Sequence, residues 1–139
     1  MDRKKLLIRL TSLIFLIFIV NYLAHQFYWY SAIWYFDMLM HFSGGFWLGL
    51  TALWFFSKTE LSFRYFIKIM LTVLLVGISW ELFEVIFYNL VAQNSFDTLD
   101  SLSDICFDLA GGLAAVVYFM KRIMYLPENT VQYNHEKRD

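Results

Sequence analysis

Three short patterns in this chain bring together side chains able to hold a cation or pass a proton. Asp37 and His41 are spaced i, i+4, Glu81 and Glu84 i, i+3, and Asp100, Asp104 and Asp108 fall at successive i, i+4 steps. On an α-helix each set shares one face. Carboxylate oxygens with one imidazole suit Mg²⁺, Mn²⁺, Ca²⁺, Zn²⁺ or iron, so Asp37, His41, Glu81, Glu84, Asp104 and Asp108 are candidate ligands of a divalent metal ion. A metal held there would activate water against a lipid-linked or cell-envelope substrate. Other readings stay open: a proton or ion pathway, a pocket for a polar head group, or protonated carboxylates that lock helices together without chemistry. Which residues meet depends on the elements that carry them.

Of the 139 residues, 60% are hydrophobic and 21% aromatic against 17% charged, a balance that belongs to a membrane protein. One proline, one cysteine and a net charge of −1 argue against a disordered chain, a disulfide scaffold and a nucleic-acid partner. Four segments, about 6–25, 36–57, 66–88 and 103–121, are long and apolar enough to cross a hydrocarbon core of about 30 Å as helices. Period-2 alternation is absent, and lipid requires every backbone polar group to be satisfied within its own segment. The expected fold is therefore all-α, a transmembrane bundle of four helices over residues 1–126, followed by a polar tail at 127–139. The aromatic run FYWYSAIWYF, 27–36, suits a membrane interface.

The basic residues set direction. Arg3, Lys4, Lys5 and Arg9 open the first span; Lys58, Arg64 and Lys68 lie between the second and third; Lys121, Arg122, Lys137 and Arg138 follow the fourth. Segments 26–35 and 89–102 hold no Lys or Arg, so the positive-inside rule predicts cytoplasmic termini. The N-terminus has the basic and apolar regions of a signal peptide but no small-x-small cleavage site after them, and reads as an uncleaved anchor.

In that orientation every intramembrane acid lies in the outer leaflet. Asp37 and His41 begin the second span, Glu81 and Glu84 end the third, and Asp104 and Asp108 begin the fourth. A carboxylate at mid-bilayer costs about 2.5–3.5 kcal/mol, so five facing lipid would cost on the order of 10 kcal/mol, even discounted for shallow placement. They are expected to face one another across the bundle, with either retained protons or a cation relieving the repulsion. Ser43, Ser79, Asn89 and Ser103 are available as hydrogen-bond partners to a polar network. The small residues Gly44, Gly45, Gly49, Ala110, Gly111, Gly112, Ala114 and Ala115 read as packing positions that let helices approach closely. Asp97 and Asp100 read as loop acids, with Asp100 the N-cap of the last span. His25 is a second-rank candidate for the cluster, His135 a solvated tail residue and Trp80 a lipid-facing or packing group. Neither a nucleophile motif nor a phosphate loop is present.

Asp-x3-His leading into a glycine-containing span, a Glu pair late in the next and Asp-x3-Asp opening the last together resemble the VanZ-like membrane proteins and the YjdF-type membrane proteins over roughly residues 36–115. Asp37 and His41 match the VanZ-like Asp-Lys-x-x-His, Glu81 and Glu84 its Glu-x-x-Gln, and Asp104, Asp108 and Gly111 its Asp-x3-Asn-x2-Gly. Met38, Glu84 and Asp108 differ from that pattern, each adding an acid or removing a base, and the YjdF-type Glu-x-x-Glu fits better. The resemblance implies a small multi-pass protein of the bacterial inner membrane, with a cell-envelope or antibiotic-tolerance role.

Overall fold

A computed structural model describes residues 3–56, 62–87 and 98–121. The expected tail, and with it His135, Asn89 and Asp97, lies outside the described residues. The chain forms α1 (Arg3–Gln26), α2 (Trp29–Ala32), α3 (Phe36–Phe56), α4 (Phe63–Phe87) and α5 (Thr98–Phe119). The described residues contain four helices long and apolar enough to cross a membrane. Side chains such as Ile8, Phe15, Phe18, Leu75 and Leu82 remain exposed on the outside of the bundle, as lipid contact requires.

Helix starts and one connecting segment depart from the sequence expectation. Helix α5 begins at Thr98 rather than near 103, which places Asp100 inside its first turn and not at the N-cap. A carboxylate is favoured there by the unpaired N–H groups of the helix start. Helix α4 begins at Phe63, so Arg64 is helical. The aromatic run is also more ordered than a plain belt. Tyr28 adopts the left-handed conformation with φ 57° and turns the chain from α1 into the four-residue α2. Tyr30 then donates to Asn21 Oδ1 at 2.6 Å, and the Trp29 and Tyr30 rings pack edge-on against Phe36, with centroids 5.6 and 5.0 Å away. The start of α3, which carries Asp37, is thereby fastened to the end of α1.

Helices α3 and α5 run parallel and touch through their backbones. Gly45 lies against the Asp108 main chain, and a Cβ built on Gly49 would stand 2.8 Å from Ala115 Cβ and 3.0 Å from Gly112 Cα. Those distances are well inside the roughly 3.5–4.0 Å of ordinary carbon contact, so these positions admit only glycine at this separation. In lipid there is no hydrophobic drive between helices, and such close contact supplies the attraction. Helix α4 adds a buried stripe at strict i+4 spacing, Tyr65, Ile69, Val73, Gly77 and Glu81, and Val73 fills the space beside Gly112.

Helix α1 lies antiparallel on the outside of α3. Trp47 Nε1 donates to Leu10 O at 3.0 Å, Arg3 Nη2 to Trp54 O at 3.2 Å, and Arg9 Nη1 to Tyr118 Oη at 3.1 Å. The Arg3 guanidinium also sits 5.4 Å from the centroid of the Trp54 ring. Tyr65 Oη donates to Leu53 O at 3.2 Å. The start of α1, end of α3, start of α4 and end of α5 therefore meet at one pole. It is filled by a core that includes Leu6, Leu50, Leu53, Ile69, Val116 and Phe119. The described Lys and Arg residues all belong to this half of the bundle. The described acids occupy the other half.

Candidate functional site

His41 belongs to the same stripe of α3 as Gly45 and Gly49, one turn nearer the helix start, and Glu81 extends the α4 stripe one turn past Gly77. Asp104 and Asp108 stand on the face of α5 that continues into Gly111, Gly112 and Ala115. The packing that brings the glycines together thus also brings these side chains together. His41, Glu81, Asp104 and Asp108 are buried, at 8, 6, 2 and 5% exposure.

The imidazole is the centre of the arrangement. Its Nε2 lies 3.9 Å from Asp37 Oδ1, 3.9 Å from Glu81 Oε1 and 4.0 Å from Asp104 Oδ2. On the other side of the ring, Nδ1 lies 3.5 Å from Asp108 Oδ1. Ligand-type atoms of Asp37, His41 and Asp104 all fall within 4.8 Å of one another, as do those of His41, Glu81 and Glu84. All six residues singled out from the sequence are therefore in one place, carried by three helices. Asp108 faces the opposite ring nitrogen from Asp37, Glu81 and Asp104.

The three Nε2 separations are too long for N–H···O hydrogen bonds, which span about 2.7–3.2 Å. Glu81 Oε1 and Asp104 Oδ1 are buried without a hydrogen-bond partner, and so is Ser103 Oγ. The serines expected to satisfy the acids do not reach them. Ser43 donates to Leu39 O at 2.8 Å and Ser79 to Leu75 O at 2.7 Å, each closing a bond on its own helix. Two ionised carboxylates 4.8 Å apart, the outer limit of these triads, repel by about 3.5 kcal/mol at an effective dielectric near 20, so the cluster needs a retained proton, an imidazolium or a cation among its oxygens.

Gly77 was not singled out from the sequence. A Cβ there would stand 2.7 Å from Asp108 Oδ2, so its bareness makes room for that carboxylate between α4 and α5. Its place one turn before Glu81 on the Tyr65–Ile69–Val73 series was the available signal. Gly44 lies outside the helix contact, with nothing within 4 Å of its Cβ position. His25 is exposed and packs on the Tyr30 ring at 5.1 Å, apart from the cluster's core.

The family described as predicted membrane protein (DUF2238) matches residues 2–124, a span that contains all five helices and all six site residues. The chain belongs to this family. No curated protein and no solved structure matches it. In this member of the predicted membrane protein family, the buried His41 and the acids around it form a possible site.

Proposed function

We propose that this membrane protein binds a divalent cation at its acidic pole, with His41 Nε2 and the carboxylates of Asp37, Glu81, Glu84 and Asp104 as ligands. The observation that carries the reading is the approach of three carboxylates, one from each of three helices, to within 4.0 Å of a single imidazole nitrogen. In the neutral tautomer with Nδ1–H directed to Asp108, Nε2 presents a lone pair, and acceptors then converge with no donor among them. Two ligands about 2.1 Å from an ion stand roughly 3.4 Å apart at the tetrahedral angle and about 4.2 Å apart on opposite sides. The 3.9–4.0 Å separations fall inside that interval, so an ion needs only small side-chain adjustments to enter.

Asp108 takes a role apart from the ligands. A carboxylate on the second ring nitrogen fixes the tautomer and aims the other nitrogen at the metal. The structural network without chemistry is less well supported, because Ser43 and Ser79 bond their own helices. A proton pathway would have to continue through Thr51 and Thr72, which donate to Trp47 O and Lys68 O on their own helices at 2.8 and 2.9 Å.

The positive-inside rule supports a site toward the outer face of the membrane. The VanZ-like and YjdF-type resemblance supports a cell-envelope setting, where lipid-linked ligands would reach a bound ion. Elemental analysis of detergent-purified protein tests the cation. The parent is expected to carry stoichiometric metal, His41→Ala to lose it, and Asp104→Asn to hold it more weakly. No metal in the parent, with unchanged or raised thermal stability in Asp104→Asn, would establish the polar network instead. Dissipation of a pH gradient in liposomes by the parent alone would establish the pathway.

A further inference from the structure

We infer that the acidic pole offers one transition-metal dication two alternative seats that share His41, an inference that rests on the cation reading above. The first seat is Asp37, His41 and Asp104, and the second is His41, Glu81 and Glu84. Both need the same imidazole nitrogen, since Nδ1 faces Asp108 at 3.5 Å. That nitrogen has one lone pair in the ring plane and ligates one metal at a time. A dinuclear centre would need a shared ligand able to bridge, as a carboxylate can and an imidazole nitrogen cannot. The two triads therefore exclude double occupancy through His41.

Each seat also has its own vacant acceptor. Asp104, of the first triad, has Oδ1 and Glu81, of the second, has Oε1 buried without a hydrogen-bond partner, on residues only 2 and 6% exposed; the Asp104 oxygen that approaches His41 is the other one, Oδ2, at 4.0 Å. Glu81 Oε1 points toward the shared nitrogen, 3.9 Å away. An imidazole among carboxylates favours first-row transition dications over Mg²⁺ and Ca²⁺, which take oxygen ligands. The seats differ in access. The Asp37 side chain is 41% exposed and that of Glu81 8%, so an ion arriving at the first seat reaches the second by exchanging carboxylates around His41.

Titration with Co²⁺, whose visible spectrum reports its ligands, tests this in detergent-purified full-length protein. The more accessible ligands serve as the substitutions, Asp37→Asn for the first seat and Glu84→Gln for the second. The parent is expected to bind one equivalent with a spectrum of two components. Each variant should keep one equivalent, show one component and weaken by no more than about tenfold, while His41→Ala weakens binding by about a hundredfold or more. Two equivalents in the parent would overturn the shared-seat inference. So would Asp37→Asn and Glu84→Gln each weakening binding as much as His41→Ala, which would mean a single composite site. Either result leaves the cation reading standing, whereas no Co²⁺ binding by the folded parent overturns both.

Discussion

Gly44 and Gly45 are neighbours in sequence with opposite surroundings, and substituting each by alanine isolates the contact that builds the site. A Cβ on Gly45 would stand 2.6 Å from Asp108 C and 2.7 Å from Asp108 Cα, while one on Gly44 would meet nothing within 4 Å. Ordinary carbon contact is about 3.5–4.0 Å, so Gly45→Ala requires α3 and α5 to part by about 1 Å. The atoms in the way are backbone and cannot rotate aside. Overpacking of this kind costs about 1–3 kcal/mol, partly offset by the roughly 1 kcal/mol that alanine gains over glycine inside a helix. Gly44→Ala keeps only the gain. The two variants should therefore differ by about 1–3 kcal/mol, on the order of 4–10 °C in Tm at the scaling of domains this size. Thermal unfolding in detergent, followed by far-UV circular dichroism, measures the difference. The same parting moves His41 away from Asp104, so Gly45→Ala should also weaken metal binding about tenfold or more while Gly44→Ala leaves it unchanged. Equal melting temperatures and equal affinities in the two variants would refute the glycine-mediated contact.

Three further outcomes follow from separate parts of the bundle. Gly77→Ala crowds Asp108 Oδ2, 2.7 Å from the new Cβ, and should weaken metal binding about 10–100-fold, as loss of a carboxylate supporting a ligating imidazole does; Asp108→Asn, measured by the same titration, should fall in the same range. Arg3→Ala removes the 3.2 Å bond to Trp54 O and the cation–π contact, and should lower stability by about 0.5–1.5 kcal/mol with unchanged metal affinity, read by thermal unfolding beside titration. Single cysteines introduced near residue 33 and near residue 121, in a Cys106→Ser background, should react with a membrane-impermeant maleimide in whole cells at the first position only; labelling at the second alone would reverse the orientation.

The number and type of the helices were legible because apolar length in lipid leaves almost no alternative to a helix. Helix ends were not, since hydropathy discounts the polar turn Thr98–Asp100–Ser101 that begins α5. Asp37 with His41, Glu81 with Glu84, and Asp104 with Asp108 could be paired by their spacing alone. Their convergence followed from electrostatics, because no single helix could bury its acids against lipid. The division of labour around His41 was beyond reach of spacing. Whether Asp108 faces Nε2 or Nδ1 depends on the register of α3 against α5, which is set by Gly45 against Asp108 and Gly49 against Gly112. Serine partners were misjudged for a related reason: Ser43 and Ser79 have a carbonyl four residues back always in reach, while a carboxylate on another helix must be brought to them.

Packing and chemistry cannot vary independently in this bundle, because the stripes that hold α3, α4 and α5 together run directly into His41, Glu81 and Asp108. At the basic pole the stripes end in apolar contacts among Leu53, Ile69 and Phe119 and need no ion. At the acidic pole they end in like charges, so cohesion there depends on what neutralises them. Withdrawing the cation should consequently loosen one half of the molecule and spare the other. At a free-metal concentration about 100 times Kd, the bound ion stabilises by about 2.7 kcal/mol, and a chelator removes that contribution. Hydrogen exchange with and without chelator should show faster exchange at His41–Gly45, Gly77–Glu81 and Asp104–Asp108, with the amides of Leu53, Ile69 and Ala115 unchanged. Uniform loss of protection along the helices would mean that the ion stabilises the fold as a whole, and that the two poles are not separable in the way their side chains divide them.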